Sequence, residues 1–283
     1  MTPDTTTFTA TDGTVLAYRT RGAGPLLVCL PGGPGRAADY LEDLGGLTAT
    51  RTLLLLDSRG SGASGLPVDD RAYAAEDHAA DVEALREHLG LASLDLLGHS
   101  AGGLVAQTWA AQNPSRVGRL VLVTTYLSTA DVAQAREQVM VLRSAETWYA
   151  EAREAADGLP YAPRAEQSRL ERGLRPFWYG AWTPRAQAHA ASADHQVAPR
   201  ASSRFALRAP VEELRRRLGA VTAPVLVVAG ELDALTPPAA AREVAAAVPG
   251  AELVVLPGAG HFPWVDDGPA FAAVVGSFLA RPA

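Results

Sequence analysis

Six short runs of nearly unbroken apolar residues recur along this chain: LLVCL (26–30), TLLLLD (52–57), LDLLG (94–98), LVLVT (120–124), VLVVAG (225–230) and LVVLPG (253–258). A strand with one wet face alternates apolar and polar residues. A short run without alternation fits a strand buried on both faces, as in a parallel sheet. Helix-like sequence separates most of the runs. AEDHAADVEALREHLG places Ala79, Val82, Leu85 and Leu89 on one stripe and stops at Gly90, and AGGLVAQTWAAQN stops before Pro114. PPAAAREVAAAVPG opens on prolines, and GPAFAAVVGSFLA closes the chain. Ahead of them, TTTFTA and TVLAYRT flank the Asp12-Gly13 turn as a hairpin. The expectation is an α/β fold: a mostly parallel eight-stranded sheet with helices on both faces.

One stretch breaks the rhythm. Residues 126–218 contain no apolar strand run and are rich in Ala, Arg and Glu. They read as a helical cap inserted after strand six, with 1–125 and 219–283 forming the core.

The third apolar run ends in GHSAGG (98–103) and passes at once into helical sequence. Glycines this dense cost backbone order unless a turn or a close approach requires them. A serine between glycines, after a strand and before a helix, marks a nucleophile elbow. The turn lifts Ser100 above the sheet, and side chains at positions 98 and 102 would strike the neighbouring strand and helix. The following helix aims its N-terminus at the same point, a favourable place for a developing anion.

A serine hydroxyl needs a base to take its proton, and the base needs an orienting acid. VLVVAGELDALTPP is a strand followed by a loop with Asp233, and LVVLPGAGHFPWVDD is a strand followed by a loop with His261. Both loops leave the carboxyl ends of strands, where open α/β sheets build sites. Glu231 is the closest rival acid. Asp57 reads as holding its own tight loop, DSRGSGASG, and Asp95 lies within a strand. His78, His88, His189 and His195 read as surface residues, and His99 as the variable position of the elbow.

Acyl transfer also needs donors for the tetrahedral oxyanion. The Ala101 amide, directly after the serine, is one. The loop PGGPG (31–35) offers the other; Pro34 has no N–H, which leaves Gly33. Trp148, Phe177, Trp178 and Trp182 of the cap, and Trp264 just past His261, are candidates for an apolar wall over Ser100, with ordinary packing as their alternative role.

The formal net charge is -6 and every basic residue is arginine. That balance invites neither nucleic acid nor an anionic membrane. No stretch approaches the ~20 apolar residues of a membrane span, and the polar first residues hold no apolar signal segment, so a cytoplasmic location is expected. The single cysteine, Cys29, excludes an intrachain disulfide and a cysteine-based zinc site, and reads as a buried inert thiol. No metal or organic cofactor is implied. The expected partner is a small-molecule or short-peptide substrate; the sequence does not specify an oligomeric state.

Taken in order, PGGPG, DSRGSGAS, GHSAGG, GELDALTPP and GAGHFPWVDD resemble the α/β-hydrolase superfamily over the whole chain except the cap. GGPG and DSRGSGAS resemble its proline iminopeptidase branch. The resemblance implies a Ser100–His261–Asp233 triad, an oxyanion hole from Gly33 and Ala101, and a helical lid at 126–218. Two positions depart from that branch. Pro31 stands where it has a histidine that braces the oxyanion loop, so the brace here must differ. Ala234 stands directly after the acid, where such aminopeptidases often carry a carboxylate for the substrate's ammonium. A serine hydrolase of small esters, lactones or amides is the expected activity. A proline iminopeptidase-type aminopeptidase is the first alternative, and a non-hydrolytic biosynthetic or binding protein on the same fold is the second.

Overall fold

The computed structural model describes residues 5–128 and 132–281. Residues 1–4 and 282–283 of the expected core, and 129–131 of the expected cap, lie outside them. Strands β1 (Thr6–Thr9), β2 (Val15–Arg21), β3 (Leu26–Leu30), β4 (Thr52–Leu56), β5 (Leu94–His99), β6 (Val117–Val123), β7 (Val225–Gly230) and β8 (Glu252–Leu256) form one sheet in the order β1-β2-β4-β3-β5-β6-β7-β8. β1 and β2 form the hairpin, β2 joins β4 antiparallel, and every pairing from β4 to β8 is parallel.

The unbroken apolar runs serve two cores at once. Val28, Leu30, Leu54, Leu96, Leu120, Leu122 and Val227 point to one face, against helices α1 (Ala75–His88) and α2 (Ala101–Gln112). Leu27, Cys29, Leu53, Leu97, Val121, Val123 and Val228 point to the other face. Successive strand residues face opposite ways, so each run must be apolar throughout. Each such side chain contributes roughly 1.5–3 kcal/mol by leaving water. Cys29 is fully buried, and burial pushes its thiol pKa up.

Between β6 and β7 the chain is helical: α3 (Ala133–Leu142), α4 (Tyr149–Gly158), α5 (Arg164–Gly173), α6 (Pro184–Gln196), α7 (Pro199–Arg204) and α8 (Val211–Leu218). α8 lies beside α2 and sends Leu214 and Leu218 into the first core. α9 (Pro238–Ala247) covers the same face. α10 (Pro263–Asp266) and α11 (Gly268–Leu279) cover the second, with Phe271, Val275 and Phe278. Among the described residues no helix is long and apolar enough to cross a membrane.

Candidate active site

β5 ends at His99 and α2 begins at Ala101, which leaves Ser100 alone in the turn at φ 53, ψ -120. A non-glycine residue there is strained by about 1–3 kcal/mol, so its surroundings must enforce it. They do. The Ser100 amide donates to the Val123 carbonyl at 2.9 Å, and the Thr125 hydroxyl donates to the Ser100 carbonyl at 2.7 Å. A Cβ on Gly98 would lie 2.5 Å from the Gly102 carbonyl oxygen, and one on Gly102 would lie 2.5 Å from that of Pro31. The glycines are there because strand and helix cross in contact.

Asp233 follows β7 and His261 follows β8. His261 Nδ1 donates to Asp233 Oδ2 at 2.8 Å, which leaves Nε2 as the basic nitrogen. Asp233 also accepts the Leu235 and Thr236 amides at 2.8 and 2.9 Å, and its Oδ2 lies 2.7 Å from the Thr236 hydroxyl. The His261 carbonyl accepts from the Thr124 hydroxyl and lies 2.9 Å from His99 Nε2, so His261 is tied to the ends of β5 and β6. The His99 ring, one residue before Ser100, is 4.7 Å from that of His261. Ser100 exposes 7 %, His261 2 % and Asp233 none of its surface.

The rival carboxylates have other work. Glu231 accepts the Gly258 amide at 2.8 Å. Asp57 accepts the Ala63 amide of its own loop, as expected, but also the Ala38 amide and a bidentate Arg19. Asp95 pairs with Arg51 and Arg119.

The glycine loop lies against the elbow: a Cβ on Gly32 would sit 2.7 Å from Ser100 Cβ. Pro31 supplies no side-chain donor, and the brace comes from Tyr40, whose hydroxyl accepts the Gly32 amide at 2.6 Å. Gly33 is left-handed at φ +97, a conformation that suits glycine. Among the described residues no acceptor engages the Gly33 or Ala101 amide.

The helical stretch between β6 and β7 touches both loops. The Phe177 carbonyl accepts the Ala234 amide at 3.3 Å, and the Trp178 carbonyl accepts the His261 amide at 2.7 Å. Ala234 packs with Val139, Ala152 and Phe177, and Trp148 and Trp178 border this cluster. Trp182 packs instead at the second core beside Tyr179, and Trp264 is buried in that core against Tyr40, His99 and Phe271. Three of the five aromatic candidates therefore meet around Ala234 and two do not. A cleft of about 820 Å³ opens elsewhere on the cap, among Glu151, Glu154, Tyr161 and Glu166, away from all of these.

Two histidines differ from expectation. His189 is buried between Tyr179 and Tyr40, and His78 is buried in contact with Phe205. His88 and His195 are exposed, as the sequence suggested. Tyr40, His99 and Thr236 were not among the sequence candidates. Their only sequence signal was proximity to the glycine loop, the serine and the acid.

Comparison with known proteins places these features in context. The profile of a family described as alpha/beta hydrolase fold matches residues 25–267. "Putative carbamate hydrolase RutD" of Variovorax paradoxus is 31% identical over 94% of this chain and 96% of its own. A proline iminopeptidase of Lactiplantibacillus plantarum is 35% identical over 42% of each chain. The crystal structure of the enol-lactonase from Burkholderia xenovorans superposes with a TM-score of 0.73 at 26% identity, covering 98% of this chain and 100% of that one.

Proposed function

This chain belongs to the alpha/beta hydrolase family, and we propose that it is a serine hydrolase of small esters, lactones or amides acting through Ser100, His261 and Asp233. The observation that carries this reading is the 2.8 Å His261–Asp233 hydrogen bond together with a serine held at φ 53 directly after His99, whose ring is 4.7 Å from that of His261. His261 Nε2 takes the proton from Ser100 Oγ as the oxygen attacks the acyl carbon. The oxyanion rests on the Gly33 and Ala101 amides, helped by the N-terminus of α2. His261 then protonates the leaving group, and water repeats the sequence on the acyl-enzyme. Asp233 holds the imidazole tautomer throughout. The relatives' names are consistent with such chemistry, since a carbamate, a lactone and a peptide each present an acyl carbon.

Residues 126–218 form the cap in this reading, with α8 as its footing on the core. The surroundings of Ala234 favour an uncharged acyl group over a free ammonium. Ala234 is 3 % exposed among Val139, Phe177 and Trp148, so the place after the acid is apolar. An ammonium buried there would lose its hydration, and Ala234 offers it no counter-charge.

The test is turnover of a short-chain p-nitrophenyl ester and of L-proline 2-naphthylamide by wild type and Ser100→Ala. Ester cleavage that vanishes in Ser100→Ala, with little naphthylamide cleavage, is the expected result. Undiminished activity in Ser100→Ala would sink the serine assignment. Ser100-dependent cleavage of the naphthylamide alone would establish the aminopeptidase reading instead.

A further inference from the structure

Two tyrosine–histidine pairs with one bonding pattern lie in the buried shell behind the triad. The Tyr40 hydroxyl, already accepting the Gly32 amide, lies 2.7 Å from His99 Nδ1, and His99 Nε2 lies 2.9 Å from the His261 carbonyl oxygen. In the cap, the Tyr179 hydroxyl lies 2.8 Å from His189 Nδ1, and His189 Nε2 lies 3.0 Å from the Tyr40 carbonyl oxygen.

The hydrogens can be placed by chemistry. A carbonyl oxygen only accepts, so each histidine carries a proton on Nε2, and a neutral ring then leaves Nδ1 bare. The Gly32 amide only donates, so the Tyr40 oxygen accepts from it. The single tyrosine hydrogen then goes to His99 Nδ1. This arrangement satisfies every group in the chain and requires both rings to be neutral. Burial supplies that condition: it holds His99 well below the ordinary histidine range and pushes His189 down to about 4.

The path closes on itself. It runs from Tyr179 to His189, to Tyr40, to His99 and to His261, whose amide returns to the carbonyl of Trp178 beside Tyr179. Cap, glycine loop, elbow and base thus share one hydrogen-bonded ring.

We propose that Tyr40 and His99 are positioning residues that set the Gly33 amide and His261 in register for acyl transfer. The inference rests on the reading of Gly33 as an oxyanion donor. Gly32 has its amide caught by Tyr40 and no room for a Cβ, which would lie 2.7 Å from both Ser100 Cβ and the His99 carbonyl oxygen. Gly33 is the next residue, so the Tyr40 hydroxyl sets how far its amide stands from the reacting carbon. A misplacement of about 1 Å at such a site costs on the order of 10²-fold in rate.

The test compares an ester with its thiono analogue. A thionoester develops its charge on sulfur, a longer and weaker acceptor, and so gains less from oxyanion donors. Wild type, Tyr40→Phe, His99→Gln and the double variant are assayed on p-nitrophenyl butyrate and O-p-nitrophenyl thionobutyrate. Tyr40→Phe is expected to lower kcat on the ester by about 10- to 100-fold with KM changed by less than about threefold. The ester-to-thionoester ratio of kcat/KM should fall toward one. His99→Gln should lower the same ratio, and carries the test alone if Tyr40→Phe does not fold. The double variant should be no worse than the worse single, because the two act as a unit. Equal losses on both substrates, with the ratio kept, would mean general damage and overturn the proposal, as would additive losses. A wild type that does not discriminate overturns the oxyanion reading of Gly33, and this inference with it.

Discussion

The backbone amide of His261 donates to the carbonyl of Trp178 at 2.7 Å. One residue earlier, the Phe177 carbonyl receives the Ala234 amide, from the residue after Asp233. Two consecutive residues of the helical stretch between β6 and β7 are therefore stitched to the two loops that carry Asp233 and His261. Sterics set the register: a Cβ on Gly260 would lie 2.6 Å from the Trp178 carbonyl oxygen, and a Cβ on Gly180 would run into that of Gly258. Asp266 reinforces the seam by accepting the Gly260 amide at 2.8 Å. Residues 177–180 cannot lift without moving His261.

Gly260→Ala tests that coupling. Its methyl would meet the Trp178 and Tyr179 backbone, which yields less readily than a side-chain tip. Urea unfolding should show a loss of about 1–3 kcal/mol. Turnover should fall by about tenfold or more as His261 shifts. Gly258→Ala is the control. Gly258 is at φ +67 with open space at its Cβ, so it should lose about 1 kcal/mol of stability and keep near-normal turnover. Equal turnover in the two variants would show that the seam does not position the base.

Thr236 is the second point of leverage. Its hydroxyl oxygen lies 2.7 Å from Asp233 Oδ2, 2.8 Å from the Thr124 carbonyl oxygen and 3.1 Å from His261 Nδ1. Thr236→Val keeps the shape and removes the hydroxyl, leaving a buried acceptor short of its donor. The expected cost is about 1–3 kcal/mol of stability and roughly tenfold in kcat with KM held. Thr236→Ser should recover most of the rate. A valine variant with wild-type kcat refutes the role.

The elbow makes a sharper demand. A Cβ on Gly102 would strike the Leu30 and Pro31 carbonyl oxygens, both main chain. Gly102→Ala must therefore push α2 off β3 or break the turn at Ser100. The variant should be destabilised by about 3 kcal/mol or more. Its intact Ser100 should also fail to label with a fluorophosphonate that labels wild type. Full labelling would mean that the turn tolerates the methyl.

Much of this was legible because local pattern carries it. Leu27 and Val28 face opposite cores, so LLVCL had to be apolar throughout, and the same logic exposed every parallel strand. The placement of Ser100, Asp233 and His261 just past strand ends was legible because each follows an apolar run with its own loop chemistry. The sheet order was not: nothing in TLLLLD says that β4 lies between β2 and β3. Nor was the histidine shell. Tyr40 and His99 are 59 residues apart and His189 reaches Tyr40 across 149, and no local spacing encodes such contacts. His189 looked like surface because it lies on a polar helix, yet its ring packs among Tyr40, Tyr179 and Phe262. Trp264, one candidate for the substrate wall, instead packs in the second core against Tyr40, His99 and Phe271.

Those buried histidines give the protein an acid limit. Burial is the main cause that pushes His78 down to about 3 and His189 to about 4, and that holds His99 well below the usual range. In the unfolded chain each returns to about 6.5. Below that pH the unfolded state binds protons that the folded state refuses, so stability rises with pH. The contribution is fully present above about pH 6.5 and is lost as the pH falls toward 4. Within that window each histidine adds a slope of about 1.4 kcal/mol per pH unit. Urea unfolding at about pH 7.5 and about pH 5 should show a steep decline for wild type. His189→Gln should be less stable at the higher pH, because it breaks the Tyr179–Tyr40 link, but its decline should be shallower by about one proton. Parallel pH profiles for the two proteins would mean that His189 takes its proton in the fold as readily as in the unfolded chain, and its Nδ1 would then donate to the Tyr179 hydroxyl.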